Sequence, residues 1–159
     1  MQHETVYRNE DSYCGPISML AQSPEGDILL AFREAKWRGF KTHKDATTRT
    51  SLLRSRDGGH TWFSHVTPYP GGGNGIGLTK LSHGTLMVCA FQWIFATAER
   101  EEEIRDYPRF TPASEQPELN LASAAGGIFV TTSGTDGYSW ESPIRIQEPS
   151  EWPDLVSHS

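Results

Sequence analysis

The eight residues Ser55-Arg56-Asp57-Gly58-Gly59-His60-Thr61-Trp62 constrain the fold of this chain more than any other stretch. They read S-x-D-x-G-x-T-W and close a strand-like run at 48–54. Glycine accepts the positive φ of a tight turn, and an aspartate carboxylate accepts hydrogen bonds from turn N–H groups. The hydroxyls of Ser55 and Thr61 can tie the two sides together, and Trp62 supplies a large apolar face to bury beneath the turn. Such a device predicts a hairpin, with one strand arriving at Ser55 and the next leaving from Trp62.

The flanking pattern extends that hairpin into a four-stranded unit. Short apolar runs at 17–21, 28–32, 48–54 and 61–66 are separated by turn residues. Pro24-Glu25-Gly26 joins the first two runs. The pattern then recurs: ISMLAQSPEGDILLAF at 17–32 is matched by IGLTKLSHGTLMVCAF at 76–91, with turns ending at Gly26 and Gly84. A third strand, GGIFVTT at 126–132, leads into Ser133-Gly134-Thr135-Asp136-Gly137-Tyr138-Ser139-Trp140. This is a degenerate second copy, with Thr135 in the aspartate position and Asp136 one residue late. Residues 141–147 complete the second unit. An insertion at about 97–125 interrupts it. The insertion begins with a short helix over 98–106 and is then broken by Pro108, Pro112 and Pro117. It reads either as a solvated surface excursion or as a loop over a ligand cleft.

The motif and its in-phase second copy resemble the Asp-box of the sialidase (neuraminidase) superfamily, also called BNR repeats. The resemblance spans residues 14–93, with weaker support from 126–140. It implies an all-β, sialidase-type β-propeller with blade 1 at 14–67, blade 2 at 74–148 and the start of blade 3 at 149–159. Propellers close with about 4–8 blades, and the family's ring has about six. Two blades leave strand edges unpaired, so the expectation is the N-terminal part of a larger ring. Ser55, Asp57, Gly59, Thr61 and Trp62, with Ser133, Asp136, Gly137 and Trp140, are then structural Asp-box residues.

The implied function is glycoside hydrolysis of a glycan by the complete protein, inactive as this fragment. The alternative is a non-catalytic Asp-box repeat protein that binds carbohydrate or protein, since fold does not decide chemistry. Ala31-Phe32-Arg33-Glu34-Ala35-Lys36 is similar to the family's A-F-x-E-x-R, with Lys36 replacing the arginine. Asp45, in the loop that follows, is similar in position to the family's catalytic acid/base, a carboxyl that protonates the leaving oxygen or activates water. It stands among Lys41, Lys44 and Arg49, with His43 near; a solvated loop aspartate is the other reading. Glu34, Lys36 and Asn74 are the implied substrate-binding residues. Asn74 lies where the family tends to carry Asn-Pro, with Gly75 replacing the proline. The family also opens its first blade with R-I-P, whereas Tyr13-Cys14-Gly15-Pro16-Ile17 has no arginine. A carboxylate clamp therefore lacks its first member. That leaves a neutral sugar, a uronate bound otherwise, or no catalysis. The other arginines and a Tyr/Glu nucleophile pair would lie beyond Ser159. Trp37 and Trp93 read as sugar-stacking aromatics or as core caps.

Composition removes other classes. A net charge of −6 opposes a nucleic-acid partner. No apolar run reaches the roughly 18 residues of a membrane span, and Met1-Gln2-His3-Glu4-Thr5 lacks the features of a secretory leader, which reads as cytoplasmic as encoded. The histidines lack metal-ligand spacing, the glycine run 71–73 lacks a phosphate-loop signature, and no G-x-S-x-G elbow occurs. No metal or organic cofactor is implied. Cys14 and Cys89 are expected to be buried free thiols.

Overall fold

A computed structural model describes residues 4–40, 42–64, 67–69 and 73–147. Its strands form two four-stranded antiparallel sheets, each in up-and-down order. The first sheet holds β1 (Ser12–Gln22), β2 (Ile28–Lys36), β3 (Arg49–Ser55) and β4 (Phe63–Ser64); the second holds β5 (Gly73–Lys80), β6 (Leu86–Ala96), β7 (Ala122–Ser133) and β8 (Ile144–Gln147). The all-β expectation and the two-sheet repeat therefore hold. The expected start of a third unit, 149–159, lies outside the described residues, as do Lys41, His65 and Val66.

Turn chemistry sets this order. In the β1–β2 hairpin the Ser23 N–H donates to the Asp27 carbonyl at 2.8 Å and Gly26 takes φ 97°. The β5–β6 hairpin repeats it, with Leu81 donating to Thr85 at 2.8 Å and Gly84 at φ 94°. Only glycine takes such φ values without strain. At the end of β3 the Asp57 carboxylate accepts from the Thr61 N–H (2.8 Å), the Thr61 hydroxyl (2.6 Å) and the Ser55 hydroxyl (2.9 Å). The Trp62 indole N–H closes the turn on the Gly59 carbonyl at 2.9 Å. The turn after β7 uses the same scheme with a hydroxyl in place of the carboxylate. Thr135 Oγ1 accepts from the Ser139 N–H at 2.9 Å and lies 2.7 Å from Ser139 Oγ, while the Trp140 indole N–H donates to Gly137 at 3.1 Å. Thr135, not Asp136, is thus the turn's internal acceptor, which corrects the structural role expected of Asp136.

Displacement of Asp136 by one residue gives it a different task. At φ 56° its carboxylate turns toward the first sheet, where Arg54 Nη1 donates to Oδ2 at 2.9 Å and the Glu25 N–H donates to Oδ1 at 3.1 Å. Arg54 is fully buried; it also donates to Asp27 at 2.6 Å and to the Asp136 carbonyl, and its guanidinium lies 4.3 Å from the Tyr138 ring centroid. Both turns therefore lie at the same end of the molecule. At the other end, Lys44 of the β2–β3 loop donates to Thr111 of the insertion at 2.7 Å. The two sheets consequently run in like orientation. Between them lies the core: Leu29, Ala31 and Leu52 from the first, and Ile76, Leu78, Leu86 and Val88 from the second, with Ala21 and Trp140 packed against it.

The insertion is shorter and better built than expected. Residues 122–125 belong to β7 and pair with residues 93–96 of β6. Ala-Ser-Ala-Ala has little intrinsic strand preference, and the partner strand imposes the conformation. Gly126 is the unpaired residue where the register shifts, a bulge at which a Cβ would meet Ile94 Cγ2 at 2.8 Å. The remaining 97–121 contains 3₁₀ helices at Ala98–Ile104 and Ala113–Glu115. Ile104 and Ala113 form a second core with Ala122 and Ala124, so the segment is not merely a solvated excursion. Cys14 is exposed and Cys89 half-buried, contrary to expectation; both are free. Each lies on a strand face that the inter-sheet core does not cover. Among the described residues no helix is long and apolar enough to cross a membrane.

Candidate functional site at the loop end

The β2–β3 loop starts where β2 ends at Lys36 and carries the chain back to Arg49, at the end opposite the two turns. Arg33 holds it down. This buried arginine projects beside Gly15, where a Cβ would lie 3.1 Å from the Arg33 side chain. Its Nη2 donates to the carbonyl of Thr42 (2.9 Å) and to the hydroxyls of Thr48 (3.0 Å) and Tyr13 (3.2 Å). The Tyr13 hydroxyl donates to Thr42 O at 2.6 Å. A loop whose carbonyls are taken up in this way has one conformation to present.

Asp45 sits in the last turn of this loop, and it is buried, with 1% of its surface exposed. Its Oδ1 accepts from the N–H and the hydroxyl of Thr47 at 2.8 and 2.7 Å, and its main-chain carbonyl accepts from Thr48 at 3.0 Å. Oδ2 accepts from Arg38 Nε at 3.3 Å. Asp45 is therefore at the loop end and far in the chain fold from Asp57, yet it is not a solvated loop aspartate. Aspartates bond their own backbone two residues on in tight turns, and this one does so.

Glu34 and Lys36 do not join it. Leu29 and Ala31 face the second sheet, and strand alternation puts Glu34 on the opposite face of β2. There its Oε1 accepts from Tyr7 (2.7 Å), Asn9 (3.1 Å) and Ser12 (2.6 Å). Its Oε2 accepts from Ser51 (2.6 Å) and from Arg49 Nε and Nη2 (3.1 and 3.0 Å). Burial alone would raise this carboxyl, but the bonds from Ser12, Ser51, Tyr7 and Arg49 outweigh it and hold it at about 2. A carboxylate so saturated ties the N-terminal segment to β2 and β3 and has no lone pair left for a ligand. Lys36 is exposed; its main-chain N–H donates to the Thr47 hydroxyl at 3.0 Å. Asn74 lies at the same end, paired through the backbone with Phe91; its side chain lies outside what is described.

The two tryptophans have separate fates. Trp37 is 42% exposed, yet its N–H is fixed on the Asp11 carbonyl at 2.8 Å and its ring meets Tyr13 edge-on at 6.3 Å. Trp93 is buried and meets Phe91 edge-on at 5.3 Å. Lys44 lies 4.6 Å above the Trp93 ring. Tyr69, buried beside this end, donates to Gln92 at 2.7 Å, and burial pushes its phenol up to about 12 against the opposing charge of Arg145. Arg33, Arg38, Tyr69 and Thr111 carry no sequence signal for these roles; Lys44 was legible only as a neighbour of Asp45. Among the described residues no cluster of three or more His, Cys, Asp or Glu could hold a metal.

No protein-family model matches the chain. No curated protein matches it either. Among solved structures it is similar to a crystal structure of a protein of unknown function from Dyadobacter fermentans, with a TM-score of 0.66 and 26% identity. The match covers 87% of this chain and 38% of that one.

Proposed function

We propose that the chain is the N-terminal part of a sialidase-type Asp-box β-propeller and that the loop end of its sheets binds a glycan. The observation that carries this reading is the like orientation of the two up-and-down sheets, with both turns at one end and the β2–β3 loop and the insertion gathered at the other. Propellers repeat such sheets around an axis. Binding residues concentrate on loops that a rigid scaffold holds in place. Trp37 supports the glycan assignment, being exposed while its backbone and ring edge are held, so a sugar face can stack on it without ordering it first. The test is glycan binding by the complete protein, by array and then calorimetry. Trp37→Ala should weaken binding at least tenfold and leave the unfolding midpoint within about two degrees. Binding that survives this change, or no glycan binding at all, removes the assignment.

Hydrolysis is the second reading, with Asp45 as acid/base. In its favour, among the described residues Oδ2 has one hydrogen-bond partner, Arg38, at a long 3.3 Å, and the Arg38 side chain is 35% exposed. A shift of Arg38 would free one carboxylate oxygen for a leaving group or water. The complete protein should then turn over an aryl glycoside, and Asp45→Asn, which keeps the Thr47 bonds, should abolish turnover without unfolding. Full activity in Asp45→Asn would end this reading.

A further inference from the structure

Among the described residues, Lys44 and Trp93 leave donors unspent where the ammonium covers the indole. The Lys44 ammonium is half-buried, donates one bond to the Thr111 hydroxyl at 2.7 Å and covers the Trp93 ring at 4.6 Å. An ammonium has three donors, and among the described residues no carboxylate lies within ion-pairing distance of this one. Trp93 is 7% exposed, and among the described residues its buried indole N–H has no hydrogen-bond partner. A buried donor left unmade is unfavourable, and native proteins rarely tolerate one without a reason.

The surroundings of Lys44 disfavour its charge on balance. Burial lowers the Lys44 ammonium, and the positive charge of Arg109 lowers it further; Glu115 opposes them. Arg109 is held at φ 58°, a left-handed conformation uncommon outside glycine, and the neighbouring Pro108 carbonyl accepts from the Ala125 N–H at 2.8 Å. A bare surface lysine would extend into water; this one folds back over an indole.

We propose that Lys44, Trp93 and Thr111 form an oxyanion-binding site between the β2–β3 loop and the insertion, taking a single carboxylate or sulfate group of a ligand. The ammonium supplies charge, the indole N–H supplies a directed donor, and the Thr111 hydroxyl fixes the ammonium. The inference does not depend on the glycan reading, because it concerns the oxyanion and not what bears it.

The indole N–H gives a local readout. The complete protein, labelled with ¹⁵N at tryptophan indoles, is titrated with sodium sulfate and separately with sodium acetate, with sodium chloride at matched ionic strength as control. Trp93→Phe assigns the resonance. Sulfate, acetate or both should move the Trp93 signal saturably and chloride should not; which of the two acts identifies the group. Lys44→Met should weaken the apparent affinity at least tenfold, and Lys44→Arg should retain most of it. Thr111→Val serves in place of Lys44→Met if that variant unfolds, with a threefold or greater weakening expected. A Trp93 signal unmoved by both anions, moved equally by chloride, or moved equally in Lys44→Met overturns the proposal.

Discussion

Replacing Asp136 with Asn tests how the two sheets are joined. Asparagine tolerates the left-handed φ of 56° and can keep the Glu25 N–H bond, so the change isolates the carboxylate charge. What it removes is one of two anions facing a guanidinium with no exposure to water. Breaking a buried ion pair from one side typically costs about 3–5 kcal/mol. Here Asp27 remains at 2.6 Å and the Asp136 carbonyl still accepts from Arg54, so the expected loss is smaller, about 2–3 kcal/mol. For a chain of this size that corresponds to a fall in unfolding midpoint of roughly 4–12 °C. Thermal unfolding by circular dichroism, at pH 7 and at successively lower pH, is the assay. Burial would raise the Asp136 carboxyl, but the bonds from Arg54 and the Glu25 N–H hold it below the ordinary value. A depressed folded-state value contributes stability that is complete above the unfolded value of about 3.9 and is lost as pH falls through the folded one. The gap between the natural protein and Asp136→Asn should therefore narrow below about pH 4. Midpoints within a degree at pH 7, or a gap unchanged at low pH, would refute the argument that this carboxylate clamps the sheets through Arg54.

Other consequences follow from single contacts. Gly126→Ala places a methyl 2.8 Å from Ile94 Cγ2 and 3.0 Å from the Gln92 carbonyl, so a loss of about 1–3 kcal/mol in denaturant unfolding is expected; an unchanged midpoint would mean that the bulge repacks freely. Glu34→Gln should lower stability at neutral pH, and the difference should shrink as pH falls from about 4.3 toward the folded value of about 2. A difference that grows on acidification contradicts the bonding described for Glu34. Asp57→Ala should lower the unfolding midpoint while activity or binding per folded molecule is kept, since among the described residues its carboxylate bonds only within its own turn. If the loop end is one wall of a larger cleft, as proposed, residues 1–159 alone should show no glycosidase turnover; turnover of an aryl glycoside by that chain would contradict this.

Features held by neighbours in the chain were legible in the sequence. The S-x-D-x-G-x-T-W turn is one such case, because Asp57 bonds residues no more than four positions away. The hairpins at Gly26 and Gly84 are another, since their positive φ is a local requirement. From these came the two four-stranded antiparallel units and the position of Asp45 at the end away from Asp57. Tertiary structure alone decided what each polar side chain does there. Arg54 and Asp136 are 82 residues apart, and Lys44 and Thr111 are 67 apart; no periodicity links such pairs. Glu34 reads like a site residue until Tyr7, Asn9, Ser12, Arg49 and Ser51 close over it, and Ala122 to Ala125 read as loop until β6 pairs with them. Local hydrogen bonds and turn sterics are written in adjacent residues, whereas burial and charge pairing depend on which distant strands the folded chain brings together.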